Sequence, residues 1–182
     1  LWKSVGGGNF VFVDSQTCSG CTSPTTLTFY PVFSCNDYLN GPNITFKFNS
    51  TDSYGLKTET SNFTVTFQED NVTFTIIQGN GQTVNRDGDE TRLFILIVND
   101  TDRNNQPVNN SEESDSFVNG TFWFATDSVP NFDSGHNVTT NSSGHMEYGF
   151  NPDCNYQVGT RYWYAEIKEN SCYADTSMDQ FS

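Results

Sequence analysis

The chain has 182 residues, of which 22 are acidic and 8 basic, giving a formal net charge of −14. Nucleic acids and anionic membranes are therefore disfavoured as partners, because both need Lys and Arg to neutralise phosphate. No apolar run approaches the roughly 18 residues needed to span a bilayer. The chain opens at Leu1 with no signal-peptide pattern, so we expect a mature or excised ectodomain.

Alternation of apolar and polar residues dominates the chain. Apolar residues recur at every second position in short runs, and Asn, Asp, Gly, Ser and Pro separate these runs. This pattern predicts strands joined by turns, and no segment keeps helical spacing over three turns, so the predicted class is all-β. In chain order the predicted strands are 9–13, 26–33, 44–48, 63–68, 72–78, 92–99, 117–125, 146–150 and 161–168.

A polar stretch at residues 52–61 predicts a domain boundary. Residues 1–60 form an N-terminal β segment or arm, and residues 61–182 have the size of one immunoglobulin-like sandwich. We therefore expect an antiparallel Ig-like β-sandwich preceded by a smaller, disulfide-containing β subdomain. Three glycines at 6–8 precede strand 9–13 and suit an arm that pairs with another chain's sheet edge. A flexible terminus is the alternative.

Five cysteines indicate an oxidising compartment. The simplest pairing joins Cys154 to Cys172 across neighbouring strands and places one bridge among the first three, assigned to Cys18 and Cys35. One thiol is left over, which in an oxidising compartment suggests an intermolecular bridge or an undetected partner. A redox role for Cys18 and Cys21 is disfavoured because no helix pattern follows them, and zinc binding is disfavoured because it needs a second pair.

Nine Asn-x-Ser/Thr sequons stand in the chain where its composition gives roughly 4 or 5 by chance. Each occupied sequon must face solvent, because a hydrated glycan cannot enter a packed core. The excess predicts an N-glycosylated protein, extracellular or at the cell surface; chance formation in an Asn- and Thr-rich β protein is the alternative. The predicted acceptors are Asn43, Asn49, Asn62, Asn71, Asn99, Asn109, Asn119, Asn137 and Asn141.

The second half of the chain has an ordered series of short motifs. A polar turn at 85–92 precedes the apolar run 93–98, and an Asn-rich segment then ends in Pro107-Val108. After these come Gly120-Thr-Phe-Trp-Phe124, a Thr139-to-Gly144 turn with a strand, and Val158-Gly-Thr-Arg-Tyr-Trp-Tyr-Ala165.

Over about residues 62–170 this series resembles invasin-type and related bacterial Ig-like repeats, which are similar to filamin and macroglobulin modules. The resemblance implies an extracellular stalk, adhesive or fibre-building module without catalysis. The dense sequons and the Cys154/Cys172 pair depart from the bacterial pattern and point to a eukaryotic relative.

Catalytic constellations are weak. The two histidines, His136 and His145, lie in polar stretches, and no Gly-x-Ser-x-Gly motif follows a strand. A glycosidase needs only two carboxylates, but the acidic residues stand almost entirely in turns, which favours solvated surface charge. We therefore predict no catalytic residues and no enzymatic activity, with a secreted hydrolase using a carboxylate pair as a rival.

Calcium is the one cofactor that the sequence leaves open. Asp100 and Asp102, with Asp87 or Asp89, offer alternating oxygen ligands, but the segment lacks the glycine and glutamate of an EF-hand loop. Local capping of backbone N–H groups is favoured, so no metal or cofactor is predicted.

Two aromatic triplets offer stacking surfaces for sugars. Alternation places Trp123 on the strand face opposite Phe122 and Phe124, and the triplet 162–164 follows the same rule, so most of these aromatics are predicted to be core. The predicted function is thus a non-enzymatic structural or adhesive glycoprotein that self-associates through strand edges or binds other extracellular proteins. A carbohydrate- or calcium-dependent recognition module of a cell-surface receptor is the alternative.

Overall fold

The computed structural model describes residues 1–22, 24–31, 33, 37, 41–86, 89–109 and 117–182. Its sheets are antiparallel throughout, which confirms the predicted all-β class. The chain divides into two compact units, Leu1–Gln68 and Glu69–Ser182. Within the described ranges, no helix has the length and apolarity needed to cross a membrane.

Unit 1 contains one four-stranded sheet and one hairpin. The sheet has the order β2-β1-β3-β6, and β4 pairs with β5. Because β6 pairs with β3 from Asn43↔Thr66 to Phe46↔Phe63, the division between units falls after residue 68, whereas the sequence places it at 60/61. The strands are β1 Trp2–Val5, β2 Val11–Phe12, β3 Asn43–Lys47, β4 Asn49–Thr51, β5 Lys57–Glu59 and β6 Phe63–Thr66.

The N-terminal glycines form a turn. Gly6 and Gly7 have φ values of 56° and 77°, a region that side-chain-bearing residues avoid, and they reverse the chain between β1 and β2. The register Trp2↔Phe12 and Lys3↔Val11 follows. The segment predicted as an arm therefore pairs within its own chain, and β2 is an end strand of the described sheet.

The predicted strand at 26–33 is absent from its described residues, 26–31 and 33. Its aromatic side chains instead cover the sheet. The ring of Phe29 lies 5.7 Å from that of Phe48, and the ring of Phe33 lies 5.8 Å from Phe46 and 4.8 Å from Phe67. The alternating apolar residues of this segment therefore contribute side-chain packing and do not form a hydrogen-bonded strand.

Unit 2 contains two sheets that share one core. One sheet has the order β12-β8-β7, with β9 beside β8, and the other has the order β11-β10-β13-β14. The strands are β7 Val72–Gln78, β8 Arg92–Asp100, β9 Gln106–Pro107, β10 Asn119–Phe124, β11 His136–Thr139, β12 His145–Phe150, β13 Trp163–Ile167 and β14 Thr176–Ser177.

Aromatic rings from both sheets meet in this core. The ring of Phe94 on β8 lies 4.9 Å from Phe124 on β10 and 5.0 Å from Trp163 on β13, both edge-on. Phe122 is fully buried. The side chains of strand β8 alternate between the two faces of its sheet: Phe94 enters the core while Leu93 is 39% exposed. One face of its sheet is therefore more open than the apolar run suggests.

Three short strands of unit 2 lie outside the sequence prediction. Strand β11 lies between the predicted strands 117–125 and 146–150, and β9 and β14 each have only two residues. Among the four residues of β11, only Val138 is apolar and packs on the core, so alternation there is too short to detect.

The cysteine pairing differs from the prediction. Cys18 is bonded to Cys21, with Cα atoms 5.8 Å apart, rather than to Cys35, which lies outside the described residues. Cys154 is free and exposed, so the predicted bridge to Cys172 is wrong. The reason is topological: Cys154 follows β12 in one sheet, while Cys172 precedes β14 in the other.

Replacing Phe122 with Ala should lower the free energy of unfolding of unit 2 by about 3–5 kcal/mol, because a cavity would replace a ring that stacks on Tyr148 of the other sheet. Urea denaturation measures this loss. Ile77→Ala is the matched control, since Ile77 is 52% exposed. Similar losses in the two variants would contradict a core centred on β10.

Candidate functional site

The sequon asparagines are the residues that the sequence singles out, and none of the nine is buried in the structure. Asn99, Asn109 and Asn141 are half-buried. The other six are exposed: Asn43, Asn49, Asn62, Asn71, Asn119 and Asn137.

Two of these sequons face each other across the antiparallel strands β10 and β11. In the register, Asn119 stands opposite Thr139 and Thr121 stands opposite Asn137. The Thr139 hydroxyl donates to Oδ1 of Asn119 at 2.9 Å, and the Thr121 hydroxyl donates to Oδ1 of Asn137 at 2.9 Å. Each asparagine therefore bonds to the threonine of the opposite sequon.

Two sequons also face each other between β7 and β8, but through different hydrogen bonds. Thr73 stands opposite Asn99, and one residue beyond the strand Thr101 donates both its backbone N–H and its hydroxyl to the carbonyl oxygen of Asn71. The middle residues of the two sequons, Val72 and Asp100, are 4% and 2% exposed. Residues one and three of each sequon thus face out while residue two faces in.

Unit 1 has a related ladder, shifted in register. Asn43 of β3 stands opposite Thr66 of β6, whose hydroxyl donates to Oδ1 of Asn43 at 2.8 Å. Thr45 and Thr64, the threonines of two different sequons, stand 3.3 Å apart through their hydroxyl oxygens. We call these three facing pairs the sequon ladders: Asn43 with Asn62, Asn71 with Asn99, and Asn119 with Asn137.

The ladders leave the glycan-accepting atom available at three sites. In Asn43, Asn119 and Asn137 the atom engaged by threonine is Oδ1, whereas an N-glycan attaches to Nδ2. Asn141 is different. It closes a turn, its Oδ1 accepts from the backbone N–H of Ser143, and its Nδ2 donates to Glu147 at 2.8 Å. Asn71 and Asn99 also donate through Nδ2, to Asp102 at 3.3 Å and to Thr75 at 2.9 Å. We therefore rank Asn71, Asn99 and Asn141 below Asn43, Asn119 and Asn137 as acceptors.

A second polar cluster surrounds the carboxylate of Asp133. His136 lies 2.9 Å from Asp133 through Nε2, and its Nδ1 lies 2.8 Å from the hydroxyl of Tyr148. The hydroxyl of Tyr156 donates to the same carboxylate at 2.8 Å. The hydroxyls in this network are phenols, not the Ser or Cys nucleophile that a histidine triad uses.

The environment keeps both phenols protonated. Burial raises the pKa of Tyr148, with a smaller contribution from the Asp133 charge. Burial also raises the pKa of Tyr156, well above its usual range, and the hydrogen bond to Asp133 adds to the shift. A phenol that holds its proton is a hydrogen-bond donor rather than a nucleophile, so the network ties the segment around Asp133 to β11 and β12.

The residues weighed as calcium ligands serve as local caps. Oδ1 of the buried Asp100 accepts from the backbone N–H groups of Asp102 and Arg103, and Oδ2 of Asp102 accepts from the backbone N–H of Asn71. Burial and then the Asp100 charge raise the pKa of Asp70. Among the described residues, no group of three His, Cys, Asp or Glu is placed to hold a metal ion; Asp87 lies outside them.

The aromatic triplets split as alternation predicts. Phe122, Phe124 and Trp163 are core. On the opposite face, Trp123 stacks on Tyr164 with ring centroids 6.2 Å apart and planes 8° from parallel. Both are half-buried, so this pair is the aromatic surface left for a sugar ring.

A double-mutant cycle tests the β10–β11 ladder in protein made without glycans. Thr139→Val removes the hydroxyl and keeps the branched shape, and Asn119→Ala removes its acceptor. We expect the two changes to couple by about 0.5 kcal/mol in urea denaturation, as exposed cross-strand pairs do. Strictly additive losses would mean that the bond contributes nothing.

The raised phenol pKa values predict an alkaline loss of stability. A raised folded pKa contributes stability that is fully present below the unfolded value, about 10, and is lost as pH rises through the folded value. Tyr156→Phe should cost about 1 kcal/mol near pH 8 through its lost hydrogen bond, and make the decline above pH 10 shallower. Thermal unfolding between pH 8 and 11 measures both. Tyr54→Phe, at a side chain 90% exposed, is the control, and an unchanged slope in Tyr156→Phe would refute the account.

Comparison with protein-family models, curated proteins and solved structures gave no match for this chain.

Proposed function

We propose that this chain is a non-enzymatic, N-glycosylated extracellular protein with a structural or adhesive role. The observation that carries the proposal is the sequon geometry. None of the nine sequon asparagines is buried, and six of the nine belong to the three sequon ladders. Glycans on the ladders would lie on the polar faces of the sheets and keep other macromolecules away from these faces.

Hydrogen bonding alone offers a competing explanation. Asn and Thr are short polar residues that bond across strands, so a sheet rich in both forms sequons without any glycan. The pairing of Oδ1 with threonine is compatible with either explanation. Nine sites, with an excess of about twofold over chance, favour glycan attachment.

The strand order of unit 2 supports an Ig-like architecture. Without β9, the described part of unit 2 has seven strands, which we count here from one to seven in chain order. The first, second and fifth strands form one sheet, and the fourth, third, sixth and seventh strands form the other. An immunoglobulin constant domain differs only in the fourth strand, which joins the first sheet there. Ig-like modules are common in cell-surface proteins. A shared fold supports the proposal but does not by itself establish a function.

The end strands of unit 1 supply the means of association. Strand β6 is exposed at every residue, with Phe63 and Val65 at 53% and 47%, and on β2 Val11 and Phe12 are 59% and 52% exposed. Apolar end strands of this kind are templates for pairing with another chain. Contacts that are not self-complementary then build open fibres, which suits a surface coat.

A recognition module for carbohydrate is the second candidate. The stacked pair Trp123 and Tyr164 favours it, with the ring of Phe132 edge-on to Tyr164 at 4.8 Å. Retention on a glycan array, lost in Trp123→Ala, would support this alternative.

Association is tested by light scattering on the protein secreted from eukaryotic cells. Val65→Lys places a charge on the β6 edge without altering a sequon and should convert multimers to monomers, because an edge lysine blocks strand addition. Val129→Lys is the matched control, since Val129 is 72% exposed in a loop. Monomeric wild-type protein at high micromolar concentration, or multimers that Val65→Lys leaves intact, would contradict assembly through β6.

A further inference from the structure

Unit 2 contains a cavity of about 730 Å³. Its apolar wall comes from both sheets: Phe94, Phe124, Phe150 and Trp163 supply aromatic surface. The remaining wall comes from the segments 79–86 and 156–162. Small-molecule sites in proteins have this size and combine apolar and aromatic walls with a few polar groups.

The cavity is lined by basic residues, although the chain as a whole is acidic. The sequence has four arginines, and three of them, Arg86, Arg92 and Arg161, line this one cavity. None of the described lining residues has an acidic side chain, in a protein with 22 acidic residues. The terminal carboxyl group of Ser182 is the one acidic group among the described residues of this lining, and the backbone N–H of Gly81 donates to Ser182 at 2.9 Å. A concave, low-dielectric wall concentrates the field of these cations toward an anion inside it.

Each of the three arginines has more N–H donors than its hydrogen bonds to described residues use. Arg86 donates Nη1 to the carbonyl of Tyr156, Arg161 donates Nη1 and Nη2 to its own loop, and Arg92 donates Nε to the carbonyl of Thr83. Arg92 also pairs with Glu90. A guanidinium has five N–H donors, so each retains further donors after these bonds.

Two buried donors in the same wall have no acceptor in the described part of the chain. They are Nε of Arg161 and the indole Nε1 of Trp163, and Trp163 is only 3% exposed. A buried N–H without an acceptor costs free energy, and buried polar groups in native proteins are normally satisfied by protein, water or ligand. Both donors belong to residues that line the cavity, so an acceptor on a bound ligand would satisfy them.

We propose that this cavity binds a small organic anion with a flat apolar body, such as an aromatic carboxylate or sulfonate. The aromatic wall contacts the body, and the arginine cluster with the Trp163 indole faces the anionic group. An inorganic anion would leave the aromatic wall uncovered, and a polyanionic macromolecule would meet the −14 charge of the surrounding chain. This site is separate from the sequon ladders and needs neither glycans nor assembly.

The test uses two fluorescent probes on the full chain. The anionic probe is 1-anilinonaphthalene-8-sulfonate, and the neutral probe is N-phenyl-1-naphthylamine, which has the same rings without the sulfonate. We expect saturable binding of the anionic probe at one site per folded chain, with an affinity at least about tenfold above that of the neutral probe.

Arg86→Gln and Arg161→Gln should each weaken the anionic probe by about tenfold while leaving the neutral probe unchanged, because each removes a charged donor from the wall. Lys57→Gln is the matched control: it makes the same charge change at an exposed residue of β5 in unit 1. Near-ultraviolet circular dichroism selects variants that keep the native fold, and using two arginines keeps the test valid if one variant unfolds.

Several results would overturn the proposal. These are the absence of saturable binding by the folded wild-type chain, equal affinity for the two probes, and losses in Lys57→Gln that match those in the arginine variants. Competition of the bound probe by benzoate or naphthoate, but not by chloride or inorganic phosphate at equal ionic strength, would support the assignment of the ligand class.

Discussion

The two-residue alternation of side chains along a β-strand is the constraint on which the rest of this structure depends. It places the first and third residues of an Asn-x-Thr triplet on one face and the middle residue on the other. Ile44, Val72 and Asp100 are middle residues, and each is at most 4% exposed. Alternation thus places these middle residues in the interior and the Asn and Thr residues on the outer face. A one-residue slip of register would bury the acceptors and expose the core.

The two units bury the inward-facing residues of their strands to different extents. In unit 2 the inward residues of two sheets meet, so Phe94, Phe122 and Trp163 form one aromatic core. In unit 1 a single four-stranded sheet has a polar face with Asn43 and a partly covered apolar face, and Val65 stays 47% exposed. Unit 1 therefore has the surface suited to association, and unit 2 has the aromatic core that lines the cavity.

The sequence predicts what alternation controls and misses what depends on strand partners. Strand 72–78 has the predicted bounds because Val72, Phe74 and Ile76 alternate cleanly with polar residues. The Cys154–Cys172 pairing failed because spacing says nothing about which sheet receives each strand. The Asp133 network was missed because Tyr156 joins it from 23 residues away. The facing sequons became visible only with the register of the ladders. The same limit applies to the arginines of the cavity, which lie up to 75 positions apart (161 minus 86) in the chain.

Site-by-site glycan occupancy, measured by mass spectrometry on protein secreted from eukaryotic cells, tests the central claim most directly. Enzymatic release of N-glycans in heavy-oxygen water marks each occupied asparagine as a labelled aspartate. The account predicts label at the exposed ladder sites Asn43, Asn119 and Asn137, and less at Asn141, whose amide is held in a turn. Unlabelled asparagines at all nine sequons would contradict it and leave the ladders as hydrogen-bonded pairs of an unglycosylated sheet.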